Sequence, residues 1–280
     1  MTSDNLAWNT NTNHISRYEV SVSDWITYMV ATTFHDHNRT IRDDNYEPFN
    51  LGDSIEKIKL KLPELEISCW SNYVIKAFLR KDHDMIVQQV YNHCEHSYIE
   101  LYVSKVAWDS IKKYKLLDLP IVGITYDQAL EYVEYKQTIS NACNLYIKES
   151  KNKYRYECFL PTPTQFDSFQ TLSDSFYSCP RFNFKNSLCL DCPSSKSWKN
   201  HPIGQKVGVE PIYINQYFPN YYGIYNFKGN VAEMTSEKGI AKGGSCQHYA
   251  SEAYPGRSQE YIKPEVWLGF RVWYKVYNRE

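Results

Sequence analysis

Apolar residues recur along this chain in two rhythms. A period near 3.6 marks helices and a period of two, or a short continuous run, marks strands. Arg17 to Val22 alternates in the manner of a strand. Ser23 or Asp24 then stands where a helix cap belongs, and Trp25, Ile26, Met29 and Val30 share one face after it. Leu119 to Ile124 reads as a short buried strand. Thr125 follows with Gln128 three residues on, a capping-box pair that opens a helix with Ala129, Leu130 and Val133 facing inward. A further strand ends at Leu160-Pro161. Thr162 or Thr164 caps a short helix whose Phe166 and Phe169 point to the core. Pro163 suits its first turn, where a missing N–H costs nothing. A buried strand through Gly269-Phe270-Arg271 nearly ends the chain.

The intervening stretches are less regular. Residues 1–15 are polar and rich in Asn and Thr, and predict a disordered tail. Phe34 to Gly52 is polar and holds His35-Asp36-His37; two His at i, i+2 can meet one metal, and the plainer reading is a solvated loop. Residues 53–118 carry an Ile-Lys-Leu-Lys-Leu strand candidate, a helical candidate from His83 to His96 and a strand over Tyr98–Val103. Residues 170–219 show little periodicity, which is unusual inside a compact domain.

Composition narrows the function classes. At 280 residues a sizeable core is available. A net charge of −1 and scattered Lys and Arg give no field that gathers nucleic acid or an anionic membrane. No apolar run is long enough for a transmembrane helix. The N-terminus lacks the basic and apolar regions of a signal peptide, so a cytoplasmic protein is expected, or a secreted one if the chain is a mature form. Eight Cys in this length do not form a dense disulfide pattern. The 25 Tyr suit half-buried positions and binding faces.

Four motifs in order carry a resemblance. Residues 119–132 read L-P-I-V-G-I-T-Y-D-Q-A-L-E-Y, 155–166 read R-Y-E-C-F-L-P-T-P-T-Q-F, 220–236 read N-Y-Y-G-I-Y-N-F-K-G-N-V-A-E-M-T-S, and A-K-G-G-S-C then W-L-G-F-R follow. Together with Y-E-V-S-V near the start, they resemble the formylglycine-generating enzyme, or sulfatase-modifying factor, family. The resemblance covers roughly residues 16–280 and implies one α+β domain of the C-type-lectin-like kind. That fold is loop-rich, with small antiparallel sheets and a few short helices. Residues 53–118 read as an elaboration on it.

The resemblance also implies sites. Asn226 and Glu233 side chains, with the Gly229 and Val231 carbonyls, match the family's calcium segment, and hard cations take such oxygen sets. Asn230 and Glu233 alternatively satisfy buried backbone groups of the turn. Active relatives hold copper through two Cys spaced C-x-x-x-x-C after the Gly-Gly-Ser corner, because soft thiolates suit Cu(I). Counted forward from Ser245, those positions fall on His248 and Ala253; counted back from Arg257-Ser258-Gln259, they fall on Gly244 and Tyr249. Cys246 is the only thiol in the segment, so copper and formylglycine synthesis are not expected there. Cys246 with His248 is a candidate nucleophile–base or metal pair. Cys189-x-x-Cys192 with Cys179 and His201 is a possible zinc set that pins the irregular loop, with unpaired thiols or a disulfide as alternatives. His83, His93 and His96 do not match the three-His iron spacing of sulfoxide-synthase relatives.

These readings converge on a non-catalytic binding protein. Gln247, His248, Tyr249, Tyr254, Arg257 and Tyr261 lie on a loop, 246–266, between two framework motifs, and are the expected contacts for a protein or small ligand. Relatives of the fold serve as hypervariable binding proteins and in secretion or gliding machinery. The alternatives are an oxygen-dependent metalloenzyme with a rearranged copper or iron site, and a structural subunit docked through 53–118.

Overall fold

The computed structural model describes residues 6–9, 13–35, 85–92, 97–104, 109, 113, 115–146, 154–174, 183–185, 210–216 and 219–278. Strands β1 (Leu6–Asn9) and β2 (Asn13–Ser16) open the chain. Of the stretch expected as a disordered tail, 1–15, the described residues 6–9 and 13–15 are in strands. Its local composition hides a distant partner: β2 pairs antiparallel with β10 (Trp273–Asn278), and Ile15, opposite Trp273, is fully buried. The strand expected over Arg17–Val22 is likewise displaced toward the N-terminus. Of that stretch only Ser21 makes a bridge, to Pro120.

Helix α1 (Val22–His35) starts two to three residues earlier than expected. Ser21, rather than Ser23 or Asp24, is the cap: its Oγ accepts from Asp24 N at 3.1 Å while Asp24 Oδ2 accepts from Ser21 N at 3.0 Å. The expected inward face holds at Trp25, Ile26 and Met29. His35 ends this helix, and Asp36 and His37 lie outside the described residues.

Within the helix expected over His83–His96, the described residues 85–92 are a strand instead. Strand β3 (Met85–Asn92) pairs antiparallel with β4 (Ser97–Ser104), with Ile86 opposite Val103 and Tyr91 opposite Tyr98. The branched and aromatic residues of these segments carry strand propensity. The strand expected over Tyr98–Val103 lies inside β4.

Leu119 to Ile124 is buried as expected but forms no strand ladder; Ile121 N donates to Val20 O and Val22 N to Leu119 O. Helix α2 (Tyr126–Tyr146) opens on the expected box, Thr125 N to Gln128 Oε1 at 2.9 Å and Gln128 N to Thr125 Oγ1 at 3.1 Å. Its inward face uses Ala129, Tyr132 and Val133, while Leu130 is 41% exposed. Strand β5 (Tyr154–Phe159) leads into helix α3 (Pro163–Asp174), boxed by Thr162 and Gln165, with Phe166 and Phe169 buried.

One sheet runs β1-β2-β10-β5. Alternation along its strands splits the core in two. Ile15 and Trp273 face Phe166, Phe169 and Phe227, whereas Cys158 and Tyr274 face the larger cluster around Trp25, Tyr132 and Phe270. The exposed edge of β5 is closed by α2: Gln137 Oε1 accepts from Cys158 N, Gln137 Nε2 donates to Tyr156 O, and Asn141 Oδ1 accepts from Tyr156 N. A second sheet orders β8 (Gln259–Glu260), β7 (Ile240–Lys242), β6 (Ala232–Met234) and β9 (Leu268–Gly269). The fold is α+β, with few helices and small, mostly antiparallel sheets. No helix among the described residues is long and apolar enough to cross a membrane.

Candidate functional site

The turn from Asn226 to Glu233 gathers a buried ionic hub. Asn226 and Asn230 both adopt left-handed backbone, φ 48 and 64, which asparagine tolerates better than most residues. Gly229 between them has φ +73, and a Cβ there would stand 2.8 Å from Asn183 O. Only glycine permits the 183–185 segment to lie this close. Asn230 N donates to Asn183 O at 2.9 Å, and Asn230 Oδ1 accepts from Ile212 N at 2.8 Å.

Arg271, fully buried after β9, forks onto Glu233: Nη2 lies 2.8 Å and Nε 2.9 Å from Oε1, and Nε lies 3.2 Å from Oε2. Its Nη1 donates to the Ser16 and Arg17 carbonyls and Nη2 to the Tyr225 carbonyl. Glu19 is the second buried carboxylate. Asn230 Nδ2 donates to its Oε1 at 2.9 Å and Asn226 Nδ2 to its Oε2 at 3.2 Å. Burial pushes Glu19 up to about 8, against the pull of Arg271 and with the repulsion of Glu233. Burial also raises Glu233, with Arg271 opposing. Asn226 Oδ1 is buried with no hydrogen-bond partner.

Of the residues expected to bind calcium, the turn brings Asn226, Gly229, Val231 and Glu233 onto eight consecutive positions, with both side chains turned into this hub. Sequence reading missed Glu19. The visible signal was a lone carboxylate amid the hydrophobic residues of Tyr18-Glu19-Val20, where charge is costly unless partnered.

The loop after the Gly-Gly-Ser corner is the second arrangement. A Cβ on Gly244 (φ +67) would meet the Ala253 Cβ at 2.8 Å, so the corner presses directly on the loop. From below, buried polar side chains hold the loop's carbonyls. Gln259 Nε2 donates to Glu252 O at 2.7 Å while its Oε1 accepts from Gly244 N at 3.1 Å. Gln170 of α3 donates to Ala253 O. Lys242, 2% exposed, donates to Arg257 O at 2.7 Å and pairs with Asp167 Oδ2 at 2.8 Å. Lys185 N donates to His248 O at 2.9 Å. A short 3-10 turn, Ala250–Glu252, is closed by Glu252 Oε2 accepting from Tyr249 N at 2.7 Å.

The expected contact residues divide. Gln247, Tyr249, Tyr254 and Arg257 are exposed. His248 is half-buried: its Nδ1 sits 2.6 Å from Ser245 Oγ, its ring meets Trp267 edge-on, and burial lowers its pKa. Tyr261 packs on the main core with its hydroxyl buried and unbonded, so it offers little to a ligand. Cys246 is fully buried, its thiol driven far up by burial. A nucleophile needs the thiolate, which burial of Cys246 disfavours. The possible zinc residues Cys179, Cys189, Cys192 and His201 lie outside the described residues, as do His83, His93 and His96.

The family model described as "Sulfatase-modifying factor enzyme 1-like domain" matches residues 7–276. Among solved structures, the chain is similar to PvdO from Pseudomonas aeruginosa at 13% identity, covering 94% of this chain and 80% of that one, with a TM-score of 0.43. It is also similar to CarF at 13% identity, covering 96% of this chain and 87% of that one, with a TM-score of 0.45. No curated protein sequence matches it.

Proposed function

The chain belongs to the sulfatase-modifying factor enzyme 1-like family, and within it we propose a non-catalytic binding protein that presents loop 246–266 to a protein or small ligand. One observation carries this reading. Four polar contacts hold carbonyls of the loop, at His248, Glu252, Ala253 and Arg257, while Gln247, Tyr249, Tyr254 and Arg257 face solvent. A pre-ordered loop loses little entropy when it binds, and exposed Tyr and Arg are efficient anchors. The corner itself favours recognition over oxidation chemistry: Cys246 is its only thiol and is buried, and His248 is tied to Ser245.

The Tyr249→Ala, Tyr254→Ala double variant tests the reading. Capture of partners from lysate of the source cell is expected to fall at least tenfold, with the thermal midpoint unchanged. Undiminished capture by a folded double variant would sink it. Stoichiometric copper or iron that is lost on His248→Ala would favour the metalloenzyme instead.

The hub fits a calcium ion on two grounds. Two buried carboxylates share one guanidinium, and Asn226, which donates to Glu19 through Nδ2, has its Oδ1 buried without a partner. Asn226 Oδ1, the Gly229 and Val231 carbonyls and Glu233 Oε2 would hold it, with Glu19 beside them. Calcium there supplies the positive charge that the second carboxylate lacks. At pH 8, saturating calcium is expected to raise the thermal midpoint by roughly 5 °C over chelator, the shift for a ligand near a hundred times its Kd in a domain of this size. No shift at millimolar calcium would refute the assignment.

A further inference from the structure

We propose that the loop surface takes an acidic polypeptide segment; this deepens the binding reading above and rests on it. Two exposed tyrosines flank the 3-10 turn, Tyr249 at 49% and Tyr254 at 60% exposure. Each carries a lysine over its ring, Lys185 Nζ at 5.1 Å from the Tyr249 centroid and Lys228 Nζ at 5.7 Å from that of Tyr254. Neither lysine belongs to the loop. Both come from segments that the fold brings against each other: Lys228 precedes Gly229, which packs on Asn183, and Lys185 follows Asn183 by two residues and binds the loop at His248. The exposed Arg257 adds a third cation. Glu252, on the turn itself, is the carboxylate set against these cations, and its Oε2 accepts from the Tyr249 N–H.

The result is a local positive, aromatic surface on a chain whose net charge is −1. Its chemistry is specific. An ammonium held over a phenol ring stays oriented and partly desolvated, so a carboxylate that meets it gains a charge-assisted bond without first ordering a free lysine. Tyr249 and Tyr254 stand on either side of the 3-10 turn Ala250–Glu252. Three cations suit a short run of carboxylates. Nucleic acid demands a longer basic track, and the overall charge opposes a long polyanion.

The test uses the full chain and fluorescence anisotropy with three labelled probes of equal length: a Glu/Tyr peptide, a Lys/Tyr peptide and a single-stranded oligonucleotide. The Glu/Tyr peptide is expected to bind at 50 mM salt, and to bind at least tenfold more weakly at 300 mM. Lys185→Gln, Lys228→Gln should lose at least tenfold in affinity for it, with an unchanged thermal midpoint. Absence of binding by that peptide, indifference to the double lysine variant, or preference for the lysine peptide or the oligonucleotide would each overturn the proposal. If Tyr249→Ala, Tyr254→Ala abolishes lysate capture while the Glu/Tyr peptide fails to bind, the loop reading survives and the acidic class falls. If the tyrosine variant leaves capture intact, the loop reading itself falls.

Discussion

Replacement of Arg271 by methionine is expected to remove most of this protein's stability. The guanidinium serves four partners at once: the Glu233 carboxylate and the carbonyls of Ser16, Arg17 and Tyr225. These lie on segments from opposite ends of the chain, so the loss is felt where β2 and the second sheet meet. Breaking a buried pair by removing one partner costs about 3–5 kcal/mol, and each buried carbonyl left without a donor adds about 1–3 kcal/mol. A typical domain has only about 5–15 kcal/mol in total. The expected results are a collapse in soluble yield and, for any soluble fraction, a urea midpoint far below wild type. Arg271→Lys keeps the charge but not the planar fork, and should fall between the two. The double variant Arg271→Met, Glu233→Gln should recover part of the loss, because it removes the stranded charge. A methionine variant as stable as wild type would show that the hub does not hold the fold together.

Much of the framework was legible in the sequence because its signals are local. The Thr125–Gln128 and Thr162–Gln165 boxes each lie within four residues, and the structure forms both. The inward Phe166 and Phe169 follow from helical spacing alone. What was missed depends on distant partners. Residues 6–16 look like a polar tail until β10 supplies the strand beside them, more than 250 residues away. His83–His96 carries mixed periodicity, and pairing with β4 makes its described part, Met85–Asn92, a strand. The candidate site divides in the same way. Tyr249, Tyr254 and Arg257 could be named from a loop between two motifs. Lys185, Lys228 and Lys242 could not, because their importance comes from what the folded chain sets beside them. Glu19 sat in view within a motif, yet its role appears only when Asn226, Asn230 and Arg271 close around it.

Glu19 also makes stability depend on pH in a direction opposite to that of most carboxylates. Burial raises its pKa from 4.5 to about 8 in the folded protein. The folded state therefore holds a proton that the unfolded chain releases. Stability from this group is fully present below about pH 4.5 and is lost as pH rises through about 8. Inside that window stability falls steadily as pH rises. Glu233 and Arg271 face the same carboxyl, and the titration belongs to the group of three rather than to Glu19 in isolation. Glu19→Gln keeps the shape and removes the ionisation. In urea melts without calcium, the wild type is expected to lose stability relative to this variant steadily from pH 5 to pH 8.5. At the alkaline end the glutamine variant should be the more stable of the two. Parallel pH profiles for the two proteins would show that Glu19 is ionised and fully compensated in the fold, and that its buried charge has a partner other than a proton.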